Sequence, residues 1–240
     1  MTIEKISVKT MRQEVYDQLR DKIISAEILP GESISLRELA AKFGVSLMPV
    51  REALWQLESE KIIVIESNKR IHVNTLSAKE MEEALRLRVL LESMAAERAC
   101  DLRPESEIPR LKRLIESMEA STERPRIYMR KNNLFHFSIY SHSDSPLLLE
   151  IIGRLRARVG PYVYSYAIST HSLSYTMKCH WEMFEALRNR DKEKINAAVR
   201  EDLETTARMI IPSLEKPSSG RPPEEGTIQD LQSELGRGIT

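Results

Sequence analysis

Residues 36–57 read LRELAAKFGVSLMPVREALWQL. An apolar rhythm of helical spacing stops at Gly44-Val45-Ser46 and resumes through Pro49 and Arg51. Each residue at the interruption has a physical use there. Gly44 suits the left-handed position that closes a helix. Ser46 suits the N-cap of the next helix, and Pro49 then falls in its first turn, where a missing N–H costs little. The break is a joint between two helices. Upstream, Ser35 can cap the first of them, with Glu38 three residues on completing a capping box. Before that, VYDQLRDKIISAEI repeats Val15, Leu19, Ile23 and Ile24 at helical spacing until Leu29-Pro30-Gly31 breaks the pattern. Downstream, IIVIE and RIHV flank Ser67-Asn68-Lys69 as a hairpin.

Three short helices and a hairpin make a winged helix–turn–helix over residues 1–75. Its third helix would enter the major groove by its N-terminal turn, so Ser46, Leu47, Met48 and Arg51 are the candidate DNA-facing residues. The helix N-terminus and Ser46 suit a phosphate. Arg51 can reach a guanine edge or a phosphate. Arg37 suits the backbone, and Lys69, Arg70 and His72 suit phosphate or minor-groove contacts from the wing. The residues also allow a plainer reading, in which these are solvated charges and the motif docks a protein. The formal net charge of the chain is zero, and residues 1–75 also balance, so DNA contact must come from local placement.

Residues 76–214 carry no strand pattern. Helices are expected over about 77–101, 105–121, 126–142, 146–168, 172–189 and 192–211, punctuated by Pro104, Pro125, Pro146 and Asn189-Arg190-Asp191, with a kink at Gly160-Pro161. Residues 215–240, rich in Pro, Gly, Ser and Glu, are expected to be disordered. The fold class is thus mainly α: a winged helix–turn–helix followed by an antiparallel bundle of about six helices. No apolar run reaches the roughly 18–20 residues of a membrane span, and the charged N-terminus has no secretion core, so a cytoplasmic location is expected. Cys100 and Cys179 lack paired spacing and read as reduced core residues.

Polar residues on apolar helix faces need partners, because burying them alone costs several kcal/mol. Arg88 shares a stripe with Ala84, Leu91 and Ala95. Asn132 and His136 stand one turn apart in NNLFHFSIY. His180 lies with Met177, Phe184 and Leu187, and Asp202 with Ile195, Val199 and Met209. If the two imidazoles, the carboxylate and the amide converge, they could hold Zn, Ni, Mn or Fe as a divalent ion. Otherwise they form a hydrogen-bonded polar core.

The stretch PGESISLRELAAKFGVSLMPVREALWQLESEKII, above all PVREAL, resembles the GntR family of bacterial repressors. LRLRVLLESMAAERA, NNLFHFSIY, CHWEMFEALRNRD and INAAVREDL resemble the FCD ligand-sensing domain of that family's FadR branch. The resemblance implies a homodimer that binds double-stranded operator DNA and answers to a small organic acid. It also implies a metal held by an aspartate and three histidines. His136 and His180 match two of those histidines. Asn132 stands at the aspartate position and Asp202 at the last histidine, so the carboxylate has changed place. Arg88 matches an arginine that lines the pocket and would grip the effector's carboxylate; an internal ion pair with Asp202 or Glu92 is the alternative. Leu47 replaces a common arginine, and Arg70 a common wing glycine, so no operator sequence carries over. A metal enzyme acting on a small carboxylate is the rival reading, although no general base stands beside the cluster.

Overall fold

The computed structural model describes residues 9–170 and 177–215. The expected disorder of the tail from residue 216 onward, and the expected helical residues 172–176, lie outside them. Thr10 is extended and its hydroxyl accepts from the Gln13 amide, which starts helix α1 at Met11–Ile24. The helix begins and ends four residues before the expected span. Its first turn is polar and invisible to apolar periodicity, and Ala26 adopts a positive φ of 50° just past its end. Gly31, at φ 82°, turns the chain and donates its amide to Val73 O.

Helix α2, Leu36–Phe43, is capped by Ser35, whose hydroxyl accepts from the Glu38 amide, and closed by Gly44 at φ 65°. No return bond from Glu38 to Ser35 forms; the complete capping box is at Ser77 and Glu80 instead. Helix α3, Leu47–Ser59, buries Val50, Ala53, Leu54 and Leu57. Strands β2, Ile63–Ile65, and β3, Ile71–Val73, form the expected hairpin. An unexpected short strand, β1 at Ser33–Ile34, pairs antiparallel with the far edge of β3, giving the order β1-β3-β2. Two residues are too few to show alternation in a sequence.

The second half is all helix: α4 Ala78–Leu102, α5 Glu107–Glu119, α6 Pro125–Tyr140, a 3-10 turn at Ser141–Ser143, α7 Pro146–Thr170, α8 Met177–Arg188 and α9 Lys192–Glu215. Helix α7 runs through Gly160-Pro161 as one element, and α9 continues through Pro212 past its expected end. Cys100 and Cys179 are free and buried, and burial pushes both thiols up to about 11.

Helix α7 belongs to both halves. Ile152, Tyr164 and Ala167 sit in the bundle core, whereas Ala157 is buried with Leu19, Ile23 and Leu57 in the core of the N-terminal half. Arg20 Nη2 donates to Gly153 O at 2.9 Å, and a Cβ on Gly160 would lie 2.9 Å from Ile24 Cγ2. The Leu76 amide, on the connector to α4, donates to Tyr162 Oη at 2.6 Å.

Candidate functional site: a buried polar cluster and an exposed reading helix

Five helices bring the bundle's polar residues together. His136 on α6, His180 on α8 and Asp202 on α9 are buried, and one ligand atom from each lies within 4.8 Å of the others. The two Nε2 atoms are 3.1 Å apart, and each is 3.6 Å from an Asp202 carboxylate oxygen. An ion bound at about 2.0–2.1 Å needs neighbouring ligand atoms roughly 2.9–3.4 Å apart for octahedral to tetrahedral angles. The trio therefore fits a small divalent ion with little movement.

Hydrogen bonding fixes the tautomer of His136. Its Nδ1 is 3.1 Å from Tyr140 Oη, and that hydroxyl donates its single proton to Glu92 Oε2 at 2.8 Å. The tyrosine oxygen must then accept from His136 Nδ1–H, which leaves Nε2 as a bare lone pair aimed at the cluster. This is the outer-shell arrangement that orients a ligating imidazole. Burial first, then the charges of Arg156, His180 and Arg88, hold His136 well below the usual imidazole range. It is thus neutral and ready to ligate. Burial pushes Asp202 the other way, up to about 7, against the opposing pull of Arg156 and Arg88.

Glu92 is the hub behind the cluster. It is wholly buried and accepts from Arg88 Nε at 2.6 Å, Arg156 Nη1 at 2.6 Å and the Tyr140 hydroxyl. Arg88 is therefore held in an internal ion pair with Glu92, and it still lines the cavity. Desolvation raises the Glu92 pKa, but the two guanidiniums outweigh it and the net direction is downward. Arg88, Asn132, His136, Arg156, Tyr166 and Asp202 all line one cavity of about 70 Å³. Asn132 Oδ1 is buried and accepts no hydrogen bond among the described residues. Of the three tyrosines in Tyr162-Val-Tyr-Ser-Tyr166, Tyr166 reaches the cavity, Tyr164 fills the core and Tyr162 holds the connector. Periodicity did not single out Arg156 or Tyr140. The signal for Arg156 was an arginine one turn from Ile152 on a core-facing stripe.

At the other end, Ser46, Leu47, Met48 and Arg51 are all exposed on the leading turns of α3. The Ser46 hydroxyl makes no capping bond, contrary to expectation. Leu47, Met48 and Trp55 are 41%, 56% and 54% exposed. Met48, Arg51 and Trp55 share one helical face, and Trp55 was not anticipated, although it lies seven residues after Met48. Arg37 is exposed in the first turn of α2. Lys69 and Arg70 are exposed at the wing tip, where Lys69 takes φ 67° and the Arg70 amide donates to Asn68 Oδ1. His72 stands instead in the body of central strand β3, its side chain 22% exposed and 3.6 Å from Glu66.

Two family models divide the chain. The FCD domain matches residues 83–205, and the gntR family of bacterial regulatory proteins matches residues 11–73. The chain belongs to the GntR family, in its FCD-bearing branch. Similar curated proteins are regulators. McbR of Escherichia coli is 28% identical over 194 residues, which cover 79% of this chain and 87% of McbR. The repressor RspR of E. coli is 25% identical over 202 residues, 83% of this chain and 89% of RspR. The solved structure of E. coli McbR/YncC has the same fold, with a TM-score of 0.80 at 24% identity over 86% of this chain and 99% of that one. This GntR-family protein is a DNA-binding transcription regulator and not an enzyme. Among the described residues, no helix is long and apolar enough to cross a membrane.

Proposed function

We propose that this protein is a homodimeric, cytoplasmic repressor, released from its operator when a small organic acid binds beside a divalent metal ion in the helical half. Residues 1–75 would read duplex DNA and residues 76–214 would hold the ligand. The supporting observation is the buried trio His136, His180 and Asp202 on the wall of a cavity that Arg88 and Arg156 also face. Those two arginines are balanced by Glu92 and an ionised Asp202, so a divalent ion would leave the cavity with a surplus of two positive charges. An anion matches that surplus, and an arginine fork suits a carboxylate. The cavity has space for roughly five waters at ~10–15 Å³ each, which favours an acid of few atoms over an acyl chain. Asn132, with its unused oxygen, is the fourth candidate ligand to the ion. The metal, which could be Zn, Ni, Mn or Fe, would supply a Lewis-acid anchor for the acid.

On DNA, Arg51 would read a base edge or phosphate, with Leu47, Met48 and Trp55 against bases and sugars. Ser46, Arg37, Lys69 and Arg70 would hold phosphates. His72 has the weakest case, standing in the sheet with Glu66 3.6 Å away. Helix α7 is the shared wall: Gly160 borders the cavity and also touches Ile24 of the reading head. A ligand that changes how α7 sits would change how the head is held. Release rather than recruitment follows family habit, and the name of RspR as a repressor agrees.

The test is metal analysis of gently purified protein, followed by retardation of its own promoter DNA and titration with small mono- and dicarboxylic acids. The expected result is a divalent ion in each chain and release of DNA by one acid that is recovered unchanged. Protein that carries no metal, and that gains nothing when metal is added, would reduce the trio to polar core.

A further inference from the structure

This inference rests on the small acid proposed above to bind in the bundle, and concerns how that acid gets in. We infer that the groove between α1 and α6 is the mouth of the cavity, and that Asn133 and Arg156 form its gate.

The groove and the cavity share a wall: Met129, Asn133 and Arg156 line both. The groove holds about 980 Å³ and lies where the reading head meets the bundle. A second opening, of about 520 Å³, shares Tyr166 and Met209 with the cavity. Charge separates the two. Five basic side chains line the groove against the carboxylates of Asp21 and Glu27, and of the five Lys22, Arg126 and Arg130 are exposed. The second opening balances Lys178 and Arg208 against Glu182 and Glu201. A concave site lined by one sign of charge concentrates ions of the other sign, so an anion collects at the groove.

The shared wall is built to receive it. Arg156 is buried, its Nη1 is fixed by Glu92 Oε2 at 2.6 Å, and its guanidinium lies 5.8 Å from the centre of the Phe137 ring, which lines the groove. The other edge of the guanidinium is loosely held. Nε has no hydrogen-bond partner among the described residues, and Nη2 donates over a long 3.3 Å to Asn133 Oδ1. Nε–H and the neighbouring Nη2–H point the same way, and that edge takes a carboxylate bidentately. One weak bond to a side-chain amide therefore covers a ready fork. An entering carboxylate displaces Asn133 from it and passes inward to the cluster. The two lips belong to different halves of the chain: Glu27, just past α1, stands 3.7 Å from Arg126 of α6. The position of the head thus sets how wide the mouth stands.

A cysteine inside the cavity reports entry without metal, DNA or effector. Thr206 lines the cavity, and Thr206→Cys is close to it in size. Iodoacetate is a small acid and iodoacetamide its neutral counterpart; with either, the thiolate displaces iodide and a thioether forms. Mass mapping separates the new site from buried Cys100 and Cys179, and a change in the thiol itself cancels in the ratio of the two rates. Arg130→Glu should lower the iodoacetate rate roughly two- to fourfold at low salt, the effect of reversing one charge ~10 Å away in water, and leave the iodoacetamide rate unchanged. Molar salt should erase the difference. Lys178→Glu, at the second opening, should change neither rate. Asn133→Ala should speed both reagents, and rates that it leaves unmoved would remove the gate. An iodoacetate rate indifferent to Arg130, one that follows Lys178 instead, or a cysteine inert to both reagents would overturn the mouth. The proposed function is judged separately, by metal content and promoter retardation, and stands or falls without these rates.

Discussion

Arg51 is exposed on α3, so its replacement tests recognition without disturbing stability. Arg51→Ala should lower operator affinity by roughly 5- to 150-fold, the ~1–3 kcal/mol of one good base contact, while the thermal midpoint hardly moves. Gel retardation and a melting curve check both halves of that statement. Tyr140 is tested inside the bundle. Tyr140→Phe removes the oxygen that accepts from His136 Nδ1–H, and metal affinity should fall by about 10- to 100-fold, measured by calorimetric titration. The pH response follows from Asp202. Its carboxyl, pushed up to about 7, must be ionised to hold a cation. Below that pH a proton has to be displaced, so apparent metal affinity should drop about tenfold per unit from pH 7 to 6 and level off above 7. His136, already neutral, adds no slope. That His136, His180 and Asp202 turn inward was legible in the sequence because each member is polar on an apolar stripe. The Arg88–Glu92 pair was also legible as an alternative reading, but the convergence of Tyr140 and Arg156 on Glu92 was not, because those partners lie 48 and 64 residues away in the chain.

Helix α7 carries the element-scale prediction. Gly→Ala within a helix ordinarily stabilises by ~0.5–1 kcal/mol. At Gly160 the added methyl would lie 2.9 Å from Ile24 Cγ2 and 3.4 Å from Ile24 O, and overpacking costs ~1–3 kcal/mol. Crowding should win: Gly160→Ala should lower the melting temperature and loosen α1 from α7, seen as faster amide exchange along α1. A stabilised variant would show that the two helices have slack between them. Proline and the NRD joint announced most bundle boundaries correctly, because a proline stops a helix at its first turn. Pro161 and Pro212 are the exceptions. Each lies inside a helix that continues past it, and a local rule cannot weigh the packing that holds such a helix together. Strand β1 was illegible for a different reason: it exists only because β3 has a free edge beside it.

For the whole molecule, linkage sets one symmetrical expectation: if the acid weakens operator binding by some factor, operator DNA must weaken acid binding by the same factor. Calorimetry with and without DNA checks it, and unequal factors would mean that the two ligands do not share one equilibrium. The sequence showed the two halves and their order, but not that α7 is common to both, because Ala157 reads as an ordinary small residue until the reading head is seen packed on it. Strand β3 ends at Val73 and α4 begins at Ala78, so residues 74–77 can reach at most ~14 Å, and the Leu76 amide is already fastened to Tyr162. A leash that short makes the paired heads a caliper of set width. Inserting about five base pairs between operator halves, half of a ~10.5-pair turn, should swing the second half to the far side of the duplex and leave only the grip of a single head.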